Sequence, residues 1–235
     1  HQLNEFKAQI DALVANGMEQ EEALYKVLKE TIIASKNIRF EGDGYSEEWK
    51  KEAEGRGLSN ICHVPEAIMR FNDPQSRSVL IGEKVFNENE LNCRIEVELE
   101  KYTKKIQIES RVLGDMAINH IVPTAVIYQN RLLENLRGLR ETFSTEEYEY
   151  LGAERRELVK EIQLHTMEIK KLVREMTNAR HIANRLSSQV EKAYSYQDAV
   201  SPYMEKIREH IDDLEMEIDD EIWPLPKYRE LLFTK

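Results

Sequence analysis

The sequence predicts an all-α fold: short N-terminal helices packed on a long antiparallel, coiled-coil-like helical hairpin, with a third helix returning along it. Three observations carry this expectation. Apolar residues recur at helical spacing along the chain, and no alternating strand pattern of any length occurs. Residues 158–190 hold a heptad, with Leu158, His165, Leu172, Ala179 and Leu186 at one seam position and Ile162, Ile169, Met176, Ala183 and Val190 at the other. Charged residues make up 33% of the chain against nine Gly and six Pro, a mix that favours long solvated helices over a sheet core.

Three regions are expected: short helices over 1–86, the hairpin and return helix over 87–223, and a C-terminal tail over 224–235. Leu3, Phe6, Ile10, Leu13 and Val14 mark a first helix of about fourteen residues, with Gly17 at the position a helix C-terminus favours. Ala23, Leu24, Val27, Leu28 and Ile32 mark a second from about Gln20 to Asn37, antiparallel to the first. Gly42-Asp43-Gly44 is turn chemistry, after which Ser46 can cap a helix carrying Glu47 and Glu48 in its first turn and ending at Gly57. His63-Val64-Pro65-Glu66 starts a short helix that Asn72 breaks. Asp73-Pro74 reads as a cap and first helical residue, and Gly82 as the stop.

Two capping boxes frame the hairpin, Asn87 with Glu90 and Ser144 with Glu147. They predict two helices of about 75 Å each, spanning 87–193 with a break near Glu141 to Thr145. In the first arm Ile95, Leu99, Tyr102, Ile106, Leu113, Met116, His120 and Ile127 follow a 3,4 rhythm. Between 112 and 128 apolar residues occupy nearly every face, so the N-terminal helices or another subunit should wrap this section. Pro123 lies inside it and should kink the helix. Beyond Tyr194 a looser stretch leads to Ser201-Pro202. Met204, Ile207, Ile211, Leu214 and Ile218 then mark the return helix of about twenty residues, which Trp223-Pro224-Leu225-Pro226 ends.

A formal net charge of −11 argues against a nucleic-acid surface, whose affinity comes from Lys and Arg neutralising phosphate. The most apolar window, 112–128, is too short and polar to cross a bilayer. Cys62 and Cys93 show no metal or disulfide spacing and read as reduced thiols of a cytoplasmic protein. Helical periodicity begins almost at once after His1, as expected of a piece of a longer polypeptide.

The residues offer no recognisable active site. A di-iron bundle needs Glu-x-x-His pairs, and Ala117, Ile162, Asn178 and Ile207 stand three before His120, His165, His181 and His210. His165, on the seam, reads as a register-setting residue rather than a ligand. The run from Asp212 to Glu221, seven acidic residues in ten, lacks calcium-loop spacing and reads as a solvated face that invites Lys or Arg neighbours. Gly55-Arg56-Gly57 lacks the third glycine of a dinucleotide loop. Glu109 falls in the first arm's seam, where pairing with a base of the opposite arm is expected. No catalytic, cofactor-binding or metal residue is therefore assigned.

Several separated segments carry a resemblance. Residues Ile38-Arg39-Phe40-Glu41-Gly42-Asp43-Gly44-Tyr45-Ser46-Glu47-Glu48-Trp49, Glu52-Ala53-Glu54-Gly55-Arg56-Gly57-Leu58-Ser59-Asn60 and Pro65-Glu66-Ala67 resemble the C-terminal part of type III glutamine synthetases. So do Glu90-Leu91, Arg94-Ile95-Glu96-Val97, Tyr102, Ile108-Glu109, Met116-Ala117, Ile121-Val122-Pro123 and Tyr128. The resemblance covers roughly 1–140 in motif detail and the remainder in general character. It implies a parent enzyme that amidates glutamate with ammonia at the expense of ATP, using divalent metal such as Mg²⁺ between subunits of a double-ringed homo-oligomer. Leu3 to Asn37 would be similar to the last helices of its catalytic domain. The family's metal, ATP and glutamate motifs have no counterpart here, so the segment alone is expected to be inactive and to act as a structural and intersubunit element. The alternative is a freestanding coiled-coil adaptor without enzymatic activity.

Overall fold

A computed structural model describes residues 1–227, 230 and 232, and the described residues hold helices and no strand. The 224–235 tail expected from the sequence therefore falls partly outside the described residues. The chain divides into two compact units, His1–Ile95 and Glu96–Lys235.

In the first unit α1 (Gln2–Ala15) packs on α2 (Gln20–Ala34), whose Ala23 and Val27 are buried, and a 3₁₀ turn (Ser35–Ile38) extends α2. Ser46 Oγ accepts from Trp49 N at 3.1 Å and starts α3 (Glu47–Gly55). The segment between α2 and α3 is fastened by Arg56. Its guanidinium donates to Arg39 O at 2.8 Å, pairs with Glu52, and lies over both Phe40 and Trp49, which stack with ring centroids 4.0 Å apart. The Gly-Arg-Gly sequence thus serves a cation–π clasp. Next come α4 (Val64–Met69), a 3₁₀ turn (Arg70–Asn72) and α5 (Pro74–Gly82). Asp73 occupies the cap position of α5 without a side-chain cap bond; its carboxylate faces Arg70 at 3.5 Å.

Asn87 and Glu90 exchange bonds of 2.9 and 2.8 Å, the capping box that opens α6 (Glu88–Met116). Arg77 of α5 reaches Asn92 at 2.8 Å and Glu88 at 3.1 Å on the first turns of α6.

Three helices of this unit end in the same motif, with a 6→1 and a 5→2 bond closing the last turn. Met18 N donates to Leu13 O, Leu58 N to Ala53 O and Val85 N to Leu80 O. Gly17 (φ 92°) and Gly57 (φ 76°) take the left-handed position in α1 and α3. Helix α5 ends at Gly82 as the sequence predicts, and the left-handed position beyond it falls on Lys84 (φ 57°), whose side chain makes that conformation costly.

The second unit is built round α9 (Ala153–Asn184). Ile162, Thr166, Ile169, Leu172, Met176 and Ala183 form its buried stripe, which follows the predicted heptad with Thr166 added. Against it pack α7 (Val122–Thr142), the return helix α11 (Ser201–Glu217) and two π turns, Ala117–Ile121 and Tyr196–Val200. The cover over the apolar section 112–128 thus includes α9 and the return segment. Ala117, Ile121, Val122 and Ala125 are buried, while Val112, Val126 and Ile127 stay exposed.

Several expectations need correction. The second arm is not one helix: α8 (Thr145–Leu151) is separated from α9 at Gly152, and α9 stops at Asn184, before Leu186. At Gly152 a Cβ would lie 3.0 Å from Tyr148 O and 3.2 Å from a Leu136 methyl, so a side chain at this buried turn would have to push its neighbours aside. Ser188 Oγ then accepts from Glu191 N at 3.4 Å and starts α10 (Gln189–Ser195), which runs through the second π turn into α11. The stretch expected to be loose is helical throughout.

Pro123 and Pro202 each follow a π turn. Val122 N bonds back to Ala117 O and Ser201 N to Tyr196 O, five residues away, so the ladder is already widened where the proline ring would crowd a carbonyl. Thr124 Oγ1 donates to His120 O at 2.9 Å and satisfies a carbonyl at the widened turn.

Replacing Lys84 by glycine removes the left-handed penalty at the end of α5. Lys84→Gly should raise unfolding stability by roughly 0.5–1 kcal/mol in urea titration. An unchanged or lower midpoint would show that the Lys84 backbone is unstrained.

Candidate functional site

Two polar arrangements stand out in the second unit. The first lies where α6, the end of α9 and the second π turn meet. Asn184 Oδ1 accepts from Gln107 Nε2 at 3.3 Å and from Tyr196 OH at 2.9 Å, joining three elements at one oxygen. Tyr102 OH donates to Gln197 nearby. Burial is the leading cause that pushes both phenols, Tyr102 and Tyr196, above the ordinary tyrosine value.

Beside this network a groove of about 520 Å³ runs between α6 and α9, lined by Ser110, Arg111, Gly114, Asp115, Thr177 and Arg180 among others. Partial burial, and then the charge of Arg111, lower the Arg180 pKa. Asp115 is engaged by Asn119 Nδ2 at 2.6 Å. Chemically, two like-charged guanidinium groups on facing helices suit a carboxylate or other oxyanion.

The second arrangement joins α9 to α11. His165 Nδ1 and His210 Nδ1 stand 3.0 Å apart, with the rings edge to face at 5.1 Å. Asp213 Oδ2 lies 3.8 Å from His165 Nδ1. Two Nδ1 atoms at this distance need one proton between them, or a shared electrophile, because two lone pairs facing one another repel. The three side chains offer donor atoms within 4.8 Å of one another.

Sequence reading treated His165 as a register residue, set His210 aside for want of a Glu-x-x-His spacing, and left Asp213 in a solvated acidic face. The fold brings all three together. His165 and His210 are 45 residues apart, so local spacing carried no signal. The usable clue was their common position beside buried residues of two neighbouring helices.

His120 and His181 are exposed and join neither arrangement. Glu109 is not in the seam: it is exposed, and its nearest base is Lys105 of its own helix at 4.0 Å. Its expected place is taken by Ser110, buried because its hydroxyl donates to Gln107 O at 3.1 Å. The acidic run does gather bases. Arg131 faces Asp219 and Arg208 faces Asp212, at 3.5 and 3.3 Å, while Lys227 pairs with Asp220 and donates to Glu215 O at 2.7 Å. Both cysteines are free and exposed. Among the described residues no helix is long and apolar enough to cross a membrane.

These features define an all-helical domain whose polar clusters tie helices together. The family of glutamine synthetase C-terminal domains matches residues 23–140. With half of the chain matched, this protein belongs to that family. It is similar over all of its 235 residues to a glutamine synthetase of Bacteroides fragilis, with 67% identity covering 32% of that relative. A type-3 glutamine synthetase of Dictyostelium discoideum is 29% identical over 91% of this chain and 29% of its own length. A glutamine synthetase of Butyrivibrio fibrisolvens is 27% identical over 93% of this chain and 31% of its own length. The chain thus spans about a third of the length of the curated relatives it matches.

The raised phenols set an alkaline limit. Unfolded tyrosines ionise near pH 10, while those of Tyr102 and Tyr196 ionise higher in the fold, so their contribution to stability is full below pH 10 and is lost as pH rises through the folded values. Melting temperature should fall from pH 9.5 to 11, and fall less steeply in a Tyr102→Phe/Tyr196→Phe variant. Parallel curves for the two proteins would contradict this assignment.

Proposed function

We infer that this chain is the C-terminal helical region of a glutamine synthetase and serves it as a structural and intersubunit element. The observation that carries the reading is the family match over 23–140. It is supported by apolar surface that the first unit leaves open, where Leu3, Tyr25 and Ile33 are 84, 68 and 63% exposed. Side chains of this kind on packed helices gain when another protein surface covers them. The Arg111–Arg180 groove would in turn stabilise a carboxylate of a neighbouring subunit.

The whole protein would carry out ATP-dependent amidation of glutamate by ammonia in the cytoplasm, with ATP and Mg²⁺ bound between subunits of a double-ringed homo-oligomer. This region would supply no catalytic group and no ligand to those cofactors. Its helices would hold subunits in register while the chemistry proceeds elsewhere. The family match weighs against a freestanding coiled-coil adaptor.

Deleting 87–223 from a full-length enzyme should abolish correct assembly, read by light scattering, and with it most of the glutamine formation. Intact rings with normal turnover would exclude the structural role. The 235-residue chain supplied with glutamate, ammonia, ATP and Mg²⁺ should release no phosphate above background. Glutamate- and ammonia-dependent release would mean that it carries catalytic residues of its own.

A further inference from the structure

We propose that His165, His210 and Asp213 bind one divalent transition-metal ion of the Zn²⁺, Ni²⁺ and Cu²⁺ class, and that the ion clasps α11 to α9. The donors are two imidazole nitrogens and a carboxylate oxygen, within 4.8 Å of one another. Metal–nitrogen bonds of about 2.0–2.1 Å place two neighbouring ligand nitrogens roughly 3.0–3.4 Å apart, according to the bond angle at the metal. The two Nδ1 atoms are 3.0 Å apart. Asp213 stands further off, at 3.8 Å, and its side chain is 65% exposed, so it is free to rotate inward.

The backbone positions of all three donors are set by the core. His165 lies between Ile162 and Ile169 on α9, both fully buried. On α11 His210 precedes buried Ile211 and Asp213 precedes buried Leu214. His210 and Asp213 are three residues apart, a spacing that puts both on one helix face. A metal ion therefore meets a largely preformed site and needs only side-chain adjustment.

Donor chemistry selects the ion. Imidazole suits Zn²⁺, Ni²⁺ and Cu²⁺, whereas Mg²⁺ and Ca²⁺ require mostly oxygen ligands and would not displace a proton from this pair. Three protein ligands leave at least one coordination position for water on the open side. The ion also resolves the facing lone pairs, since both Nδ1 atoms can then be acceptors toward the same cation. Occupancy would oppose separation of the return helix from the spine.

Isothermal titration of the 235-residue chain with ZnCl₂ at pH 7.5 and excess Mg²⁺ tests the site. A Cys62→Ser/Cys93→Ser background removes the two exposed thiols as competing ligands. The expected result is one Zn²⁺ per chain, unaffected by Mg²⁺, with a melting temperature raised by several degrees. His165→Gln and His210→Gln should each weaken binding at least tenfold and remove the thermal shift; Asp213→Asn should weaken it less. Circular dichroism confirms that each variant is folded before titration. Cobalt substitution gives a second readout, visible d–d bands that vanish in the histidine variants. Failure of the thiol-free chain to take up Zn²⁺ stoichiometrically, or unchanged affinity in a folded His165→Gln/His210→Gln chain, would overturn the proposal. Neither result bears on the intersubunit role, which the 87–223 deletion tests separately.

Discussion

Burial of a single stripe on α9 is the constraint on which the second unit depends. Ile162, Ile169, Leu172 and Met176 are shielded by α7, α11 and both π turns, with Tyr102, Ile106 and Leu113 of α6 packed on the same core. Each buried aliphatic side chain of this size contributes about 1.5–3 kcal/mol when removed from water. Among the described residues no other element packs against so many neighbours. The hydrogen bonds follow the same geometry: Gln129 Nε2 donates across to Val159 O at 2.9 Å, and Asn184 collects Gln107 and Tyr196 at the far end of α9.

The prolines show how sequence demands are met without breaking that packing. A proline inside an α-helix forfeits a backbone bond and crowds the carbonyl four residues back. At Pro123 and Pro202, both in packed helical segments of the second unit, the preceding turn closes over five residues. The widened turns are also contact surfaces, because Ala117, Ile121, Tyr196 and Val200 are fully buried. A local irregularity thereby becomes part of the core.

Much of this was legible in sequence because it rests on local rules. Capping boxes at Asn87 and Ser144, glycines at 17 and 57, and the heptad of α9 all act within a few residues, and each lies where periodicity puts it. One departure arises from polar residues that satisfy themselves, the others from tertiary approach. Thr103 and Ser110 return their hydroxyls to Leu99 O and Gln107 O, so they sit buried in the first arm, where Glu109 was expected in the seam. The stops at Gly152 and Asn184 depend on tertiary approach, which a heptad pattern running on to Val190 conceals. The His165–His210 contact was invisible for the same reason, since it forms only once α11 lies on α9.

Fold and packing converge on one picture: in the second unit of this glutamine synthetase C-terminal domain, α7, α11 and both π turns share α9 as their common support. Native-state hydrogen exchange of an Ile169→Ala variant, read by mass spectrometry, tests that picture most directly. Removing this fully buried side chain should cost about 2–5 kcal/mol and lower protection in α7 and α11 together, by at least tenfold in each. If one of the two helices kept its original protection while the other lost it, α9 would not be the common spine, and the unit would have to be understood as two independent helix pairs.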